Sequence, residues 1–193
     1  MTAETCLHYL AFTAEEIPDG ATHFKCAPPI REAANQELLW KGLESGVISM
    51  VVSEHSPCTP ALKKPETGDF LGAWGGIAGL QLGLSVLWTL SQQRGASLEQ
   101  MVKWNTLGPA RLAGLGSRKG QLAVGFDADV VLWDDAARFE VKREAIRHKH
   151  QVTPYAGRTL CGVVHQTFVG GRLAYSKEEG LTKPGGRFEP VGR

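Results

Sequence analysis

The sequence predicts an α/β fold in which barrel-type parallel strands come first and a small β module follows, and three observations carry that prediction. An apolar run rich in β-branched residues, Val47-Ile48-Ser49-Met50-Val51-Val52, stops on Ser53-Glu54-His55-Ser56-Pro57. It is long enough for one strand, short for a helix, and apolar on both faces, as a strand of a buried parallel sheet is. A helix-patterned segment precedes it, which completes a β-loop-α-β unit. After Gly120 the pattern changes to short strands and glycine turns.

Residues 5–12, Thr-Cys-Leu-His-Tyr-Leu-Ala-Phe, read as a strand and its exit, with His8 near the end. A polar turn at Pro18-Asp19-Gly20 leads to Phe24-Lys25-Cys26-Ala27-Pro28-Pro29-Ile30-Arg31, where consecutive prolines forbid helix and fix an extended loop. From Glu32 the spacing of Ala33, Leu38, Leu39 and Leu43 predicts an amphipathic helix that Gly46 closes. The strand at 47–52 follows, and then a loop rich in Pro, Lys and Thr as far as Asp69. In Trp74-Gly75-Gly76-Ile77-Ala78-Gly79-Leu80 the glycines permit close backbone approach to a ligand or a neighbouring element. No Gly-Lys-Ser/Thr follows, so this is not a phosphate-binding loop of the P-loop type. Leu80, Leu84, Leu87 and Trp88 predict a buried helix, and 98–115 another, broken near Gly108-Pro109. Residues 120–134 read as two short strands around a turn, and 163–174 as a hairpin bent at Gly170-Gly171. A frayed tail is expected after about Lys177.

A formal charge of +1, without a basic run, gives no sign of a nucleic-acid or membrane partner and favours a small molecule or another protein. The four cysteines, Cys6, Cys26, Cys58 and Cys161, form no CxxC pair and no dense disulfide framework, which points to a reducing, intracellular setting such as the cytoplasm. Met1-Thr2-Ala3-Glu4-Thr5 carries neither basic nor apolar leader character, and no apolar run reaches the roughly eighteen residues of a membrane span. At the end of the strand, Glu54 is the candidate catalytic and metal-binding carboxylate, because a carboxylate on a rigid strand end reorganises little when it reacts. The alternative is a loop-entry Glu that caps the next turn.

Several segments in fixed order resemble one family. They are Glu4-Thr5-Cys6-Leu7-His8-Tyr9-Leu10, Lys25 to Arg31, Ser53-Glu54-His55-Ser56-Pro57-Cys58, Ala73 to Leu80, Lys119-Gly120 with Gly125-Phe126-Asp127-Ala128-Asp129, and Thr153-Pro154-Tyr155-Ala156-Gly157. The family is the cyclic amidohydrolases of the dihydroorotase, hydantoinase and allantoinase group, and within it the chain looks most like the C-terminal part of an allantoinase. The resemblance implies the last two strands and helices of a TIM-type (β/α)8 barrel over 1–118, then part of a small β-sandwich module and a tail over 119–193. It implies hydrolysis of the cyclic amide of allantoin to allantoate by two zinc ions, with a small-molecule ureide as partner and a homo-oligomer, a tetramer, as the assembly. Substrate contacts would come from backbone groups near Ala27 and Gly75, which on their own read equally as turns.

The family carries aspartate where this sequence has Glu54, and the extra methylene displaces the carboxylate by about an ångström, worth roughly a hundredfold in rate. The family's His-x-His pair, carboxylated lysine and further histidines have no counterparts before Glu54, so the resemblance predicts little zinc binding by this chain alone. His148-Lys149-His150 has the spacing but reads as a solvated face or helix end. His8 is not a family metal ligand and is expected to order the mouth through a hydrogen bond. Three readings follow: part of a longer allantoinase, an inactive remnant that binds partners, or an independent hydrolase using Glu54, His55 and Cys58. The last lacks an evident base to activate the thiol.

Overall fold

The structure, a computed structural model, describes residues 1–183, 185 and 186. Strand β1 (Glu4–Cys6) pairs in parallel with β2 (Met50–Val52), in the register Glu4 to Met50, Thr5 to Val51 and Cys6 to Val52. The expected strand at 5–12 is therefore shorter than its apolar run. Leu7–Ala11 turns into a short helix, α1, which buries Leu7, Leu10 and Ala11 at i, i+3 and i+4, the helical spacing. Short apolar runs do not distinguish the two periods.

Helix α2 (Ala33–Glu44) begins where the Glu15 carboxylate accepts the Ala33 N–H at 3.1 Å, supplying from a distant loop the cap that Glu32 does not provide. It buries Trp40 and Leu43 and ends at Gly46, whose φ of 77° is the left-handed turn expected there. Of the apolar run at 47–52, only Met50 to Val52 lie in the ladder, and Ser49 reaches it by donating its N–H to Ala3 O at 3.0 Å. Helix α3 (Gly83–Gln93) buries Val86, Leu87 and Trp88. A Ser97–Gln100 capping box starts α4 (Leu98–Val102), and a π turn at Lys103–Leu107 joins it to α5 (Gly108–Leu112). The break expected near Gly108-Pro109 takes the form of that widened turn.

The β module is an antiparallel sheet in the order β3 (Val130–Glu140), β4 (Thr159–Val169), β5 (Arg172–Ser176) and β6 (Gly180–Leu181). Gly170 and Gly171, at φ 55° and 77°, make the predicted hairpin bend. Residues 120–129, expected to hold the first of two strands, form loop instead. Leu122 and Val124 are exposed there, and ion pairs of Lys119 with Asp127 at 3.0 Å and Asp129 at 2.6 Å set its course. Asp129 in turn accepts the Gly170 N–H at 2.8 Å, which fixes this loop on the hairpin. Fraying is expected after about Lys177, but β6 at Gly180–Leu181 lies beyond it; Pro184 and 187–193, on which the rest of that expectation falls, lie outside the described residues.

One apolar core joins the two parts, with Leu10, Trp40, Leu87 and Met101 on one side and Val141, Leu160 and Cys161 on the other. Polar links cross the same seam: Ser85 Oγ donates to Gly162 O at 2.6 Å, and Trp88 Nε1 to Asp135 O at 2.8 Å. No helix among the described residues is long and apolar enough to cross a membrane.

Candidate functional site

Parallel pairing places the C-terminal ends of β1 and β2 side by side, so the residues after Cys6 and after Val52 share one mouth. Glu54 sits two residues beyond β2, exposed, with a φ of 46°. That left-handed backbone costs an L-residue about 1–2 kcal/mol, and such strain is held where surrounding contacts over-determine it. Here the contacts are a clasp between the strand exit and the glycine loop. Ser56 Oγ donates to Glu54 O at 3.2 Å, Ser56 N–H to Ile77 O at 2.8 Å, and Ile77 N–H back to Ser56 Oγ at 2.9 Å. His55 bridges to Ile77, and its Nδ1 accepts the N–H groups of Gly79 and Leu80, each at 3.3 Å. His55 is thus a strut of the loop, with Nδ1 occupied.

The two loops singled out in the sequence meet. A Cβ on Gly75 would lie 3.4 Å from Ala27 Cβ and 3.9 Å from Ala27 N, so their backbones run side by side. Among the described residues, neither backbone N–H has a hydrogen-bond partner within the protein, which leaves both to water or a ligand. Tyr9 Oη donates to Pro28 O at 2.8 Å and braces the first loop. Behind the second, Thr153 Oγ1 donates to Ala78 O at 2.6 Å, and the buried Tyr155 ring lies where a Cβ on Gly79 would be 2.7 Å away. The Thr153-to-Gly157 segment therefore backs the glycine loop.

Sequence reasoning missed the cation between these loops. Lys63 is 5% exposed, and its ammonium donates to Lys25 O at 2.8 Å, Trp74 O at 2.9 Å and Gly76 O. Lys25 Nζ crosses the other way, to Leu71 O at 2.9 Å and Ala73 O at 2.7 Å. In a loop of Pro, Lys and Thr a lysine reads as solvated, and no local pattern marks this one.

Three of the thiols are shifted away from the thiolate. Burial, and then the negative charge of Glu54, push Cys6 up to about 12, and burial raises Cys26 as well. Cys58 is also raised by burial against the opposing pull of Lys63, a shift away from the thiolate that a nucleophile needs. His8 is corrected too: it is 1% exposed, Nε2 has no hydrogen-bond partner among the described residues, and burial lowers its pKa to about 4. It packs on Tyr9 as a neutral ring, with centroids 4.1 Å apart. Nor is His148 on a solvated face. It is half-buried with its ring edge-on to His55 at 5.0 Å, bringing the β module against the exit of β2.

Whether these residues fit a two-zinc centre can be judged from the donor set. Among the described residues no three His, Cys, Asp or Glu side chains gather to hold an ion. The described residues do not fit such a centre by themselves.

The amidohydrolase family profile matches residues 13–174. The chain is 51% identical over 188 residues to the allantoinase of Streptomyces avermitilis, covering 97% of this chain and 41% of that protein. It is 44% identical to the allantoinase of Saccharomyces cerevisiae over 183 residues, 95% of this chain and 39% of that protein. It is 49% identical to that of Arabidopsis thaliana over 179 residues, 92% and 35% respectively. Among solved structures, the L-hydantoinase (dihydropyrimidinase) from Arthrobacter aurescens superposes with a TM-score of 0.87 at 31% identity, over 94% of this chain and 40% of that one. The chain thus spans 35–41% of the length of these relatives.

Proposed function

The chain belongs to the amidohydrolase family, and from that premise we propose that it serves, within a longer enzyme, in allantoinase-type hydrolysis of the cyclic amide of allantoin to allantoate. The observation that supports this best is the meeting of the Ala27 and Gly75 backbones at the mouth where Glu54 ends its strand, in a chain 51% identical to an allantoinase. A ureide ring presents alternating C=O and N–H groups, and backbone amides at Ala27 and Gly75 suit it as donors.

Water adds to the ring carbonyl carbon, the ring C–N bond breaks, and the departing nitrogen takes a proton. Glu54 is the group to move that proton, since its carboxylate is exposed just beyond the strand end and its backbone is held by Ser56. The described residues do not assemble a metal centre by themselves. Zinc chemistry, if the longer enzyme uses it, takes its other donors from outside this set, with Glu54 as this chain's carboxylate.

The test is allantoate formation and zinc content, measured on the monodisperse chain and on a longer protein that contains it. The longer protein is expected to turn over, Glu54→Gln to lower kcat by at least about a hundredfold, and Glu54→Asp to raise it. Hydrolysis of hydantoin or dihydroorotate but not allantoin would refute the substrate, and full activity in Glu54→Gln would refute the residue. A folded isolated chain with about two zinc ions and turnover would overturn the assignment to a longer enzyme. Stable folding without zinc or turnover in either protein would instead favour a remnant that binds partners.

A further inference from the structure

We propose that Lys63 is a positioning residue that sets the spacing of the Ala27 and Gly75 backbones, and with it the fit of the ureide ring; this rests on the reading of those two positions as the substrate cradle. An ammonium carries three protons, and burying it is costly unless each finds an acceptor. Lys63 finds three, all backbone carbonyls: Lys25 O, Trp74 O and Gly76 O. One lies two residues before Ala27, and the other two flank Gly75 on either side.

The two loops are about fifty residues apart in sequence, and no strand ladder joins them. What joins them is the Lys63 ammonium and the reciprocal bonds from Lys25 Nζ to Leu71 and Ala73. A single cation shared by carbonyls of both loops fixes their separation as a strand ladder would, while leaving the amides of Ala27 and Gly75 uncommitted. Burial lowers the Lys63 pKa, as expected for a cation held by neutral dipoles and no carboxylate. Replacing the lysine alone by an apolar chain would leave these three carbonyls without their donor, so its loss falls on the two loops that it joins.

Three measurements decide the matter. In the unmodified chain, reductive methylation followed by peptide mass analysis compares Lys63 with its neighbour Lys64. Lys63 is expected to react at least about tenfold more slowly, since it is buried with its protons held by three carbonyls, whereas Lys64 is half-exposed and makes one ion pair, with Asp69; equal rates would overturn the proposal without any variant. In Lys63→Met, amide hydrogen exchange should accelerate by about tenfold or more in 25–31 and 71–79 together, with α2 and β4 unchanged. Loosening confined to 60–64, or none, would overturn it. If Lys63→Met does not fold, the methylation rates alone decide. In the longer allantoin-hydrolysing protein, Lys63→Met should raise KM about tenfold and leave kcat within about threefold, the signature of lost uniform binding. A kcat loss at unchanged KM would refute the assignment. Absence of allantoin turnover in the parent protein would refute the proposed function instead, and methylation and exchange would still test Lys63.

Discussion

Gly76→Ala should unseat the mouth, whereas Gly75→Ala, one residue away, should only narrow it. A Cβ on Gly76 would lie 2.7 Å from Trp74 Nε1 and 3.0 Å from Ser56 Oγ, and it would press on the Ser56 carbonyl, a backbone atom that cannot swing aside. Overpacking of this kind costs about 1–3 kcal/mol. Displacing Ser56 also strains its two shorter bonds with Ile77, worth about 0.5–1.5 kcal/mol each. Alanine restricts the unfolded chain and returns about 0.4–1 kcal/mol, so the net loss is about 1–5 kcal/mol, near 3 in the middle of the range. On Gly75 the nearest atom is Ala27 Cβ at 3.4 Å, a tight but yielding contact, and the expected loss is below about 1 kcal/mol. The assay is urea unfolding followed by tryptophan fluorescence. With a slope of about 2 kcal/mol/M, Gly76→Ala should move the midpoint by about 1.5 M and Gly75→Ala by less than about 0.5 M. Equal midpoints for the two variants would refute the packing argument. Gly75→Ala should still weaken ureide binding, because its methyl enters the gap between the loops.

Three further outcomes follow from single residues. His8 titrates near 4 when folded and near 6.5 when exposed, so the unfolded chain takes the proton first. Its contribution is complete above pH about 6.5 and drains away as pH falls toward 4, by up to about 3 kcal/mol, and His8→Leu should flatten urea midpoints across that window. Gly162→Ala combines a φ of 97° with a Cβ 2.6 Å from the Trp133 ring and should cost about 2–4 kcal/mol, against about 1 kcal/mol for Gly125→Ala, where φ is 89° and nothing lies within 4 Å; matching losses in thermal or urea unfolding would contradict it. Glu54→Gly relieves the left-handed strain and should raise stability by about 0.5–1 kcal/mol while removing the proton carrier, so a fall in the urea midpoint would count against the strain.

What could be read locally was the part governed by short-range rules. The run ending at Glu54 reads as a strand end because β-branched residues stop at polar ones, and the bend at Gly170-Gly171 reads as a hairpin because only glycine enters that turn freely. Where two periods compete, local reading failed: Leu7, Leu10 and Ala11 lie in a run that could be strand or helix, and burial against α3 selects the helix. Residues 120–129 carried strand-like composition, yet the pairs of Lys119 with Asp127 and Asp129 hold them as loop.

The sequence by itself determined the α/β character, the order of the segments and the family that the comparisons bear out, because these follow from periodicity, turn chemistry and motifs in fixed order. Only the tertiary structure decided that Ala27 and Gly75 face each other, that His148 packs on His55, and that a lysine from a polar loop lies buried beneath the mouth. The physical reason is range. A turn or a strand end is specified by neighbours along the chain, whereas the acceptors that make Lys63 tolerable are carbonyls supplied by segments some forty and ten residues away, and a carbonyl leaves no mark in the sequence.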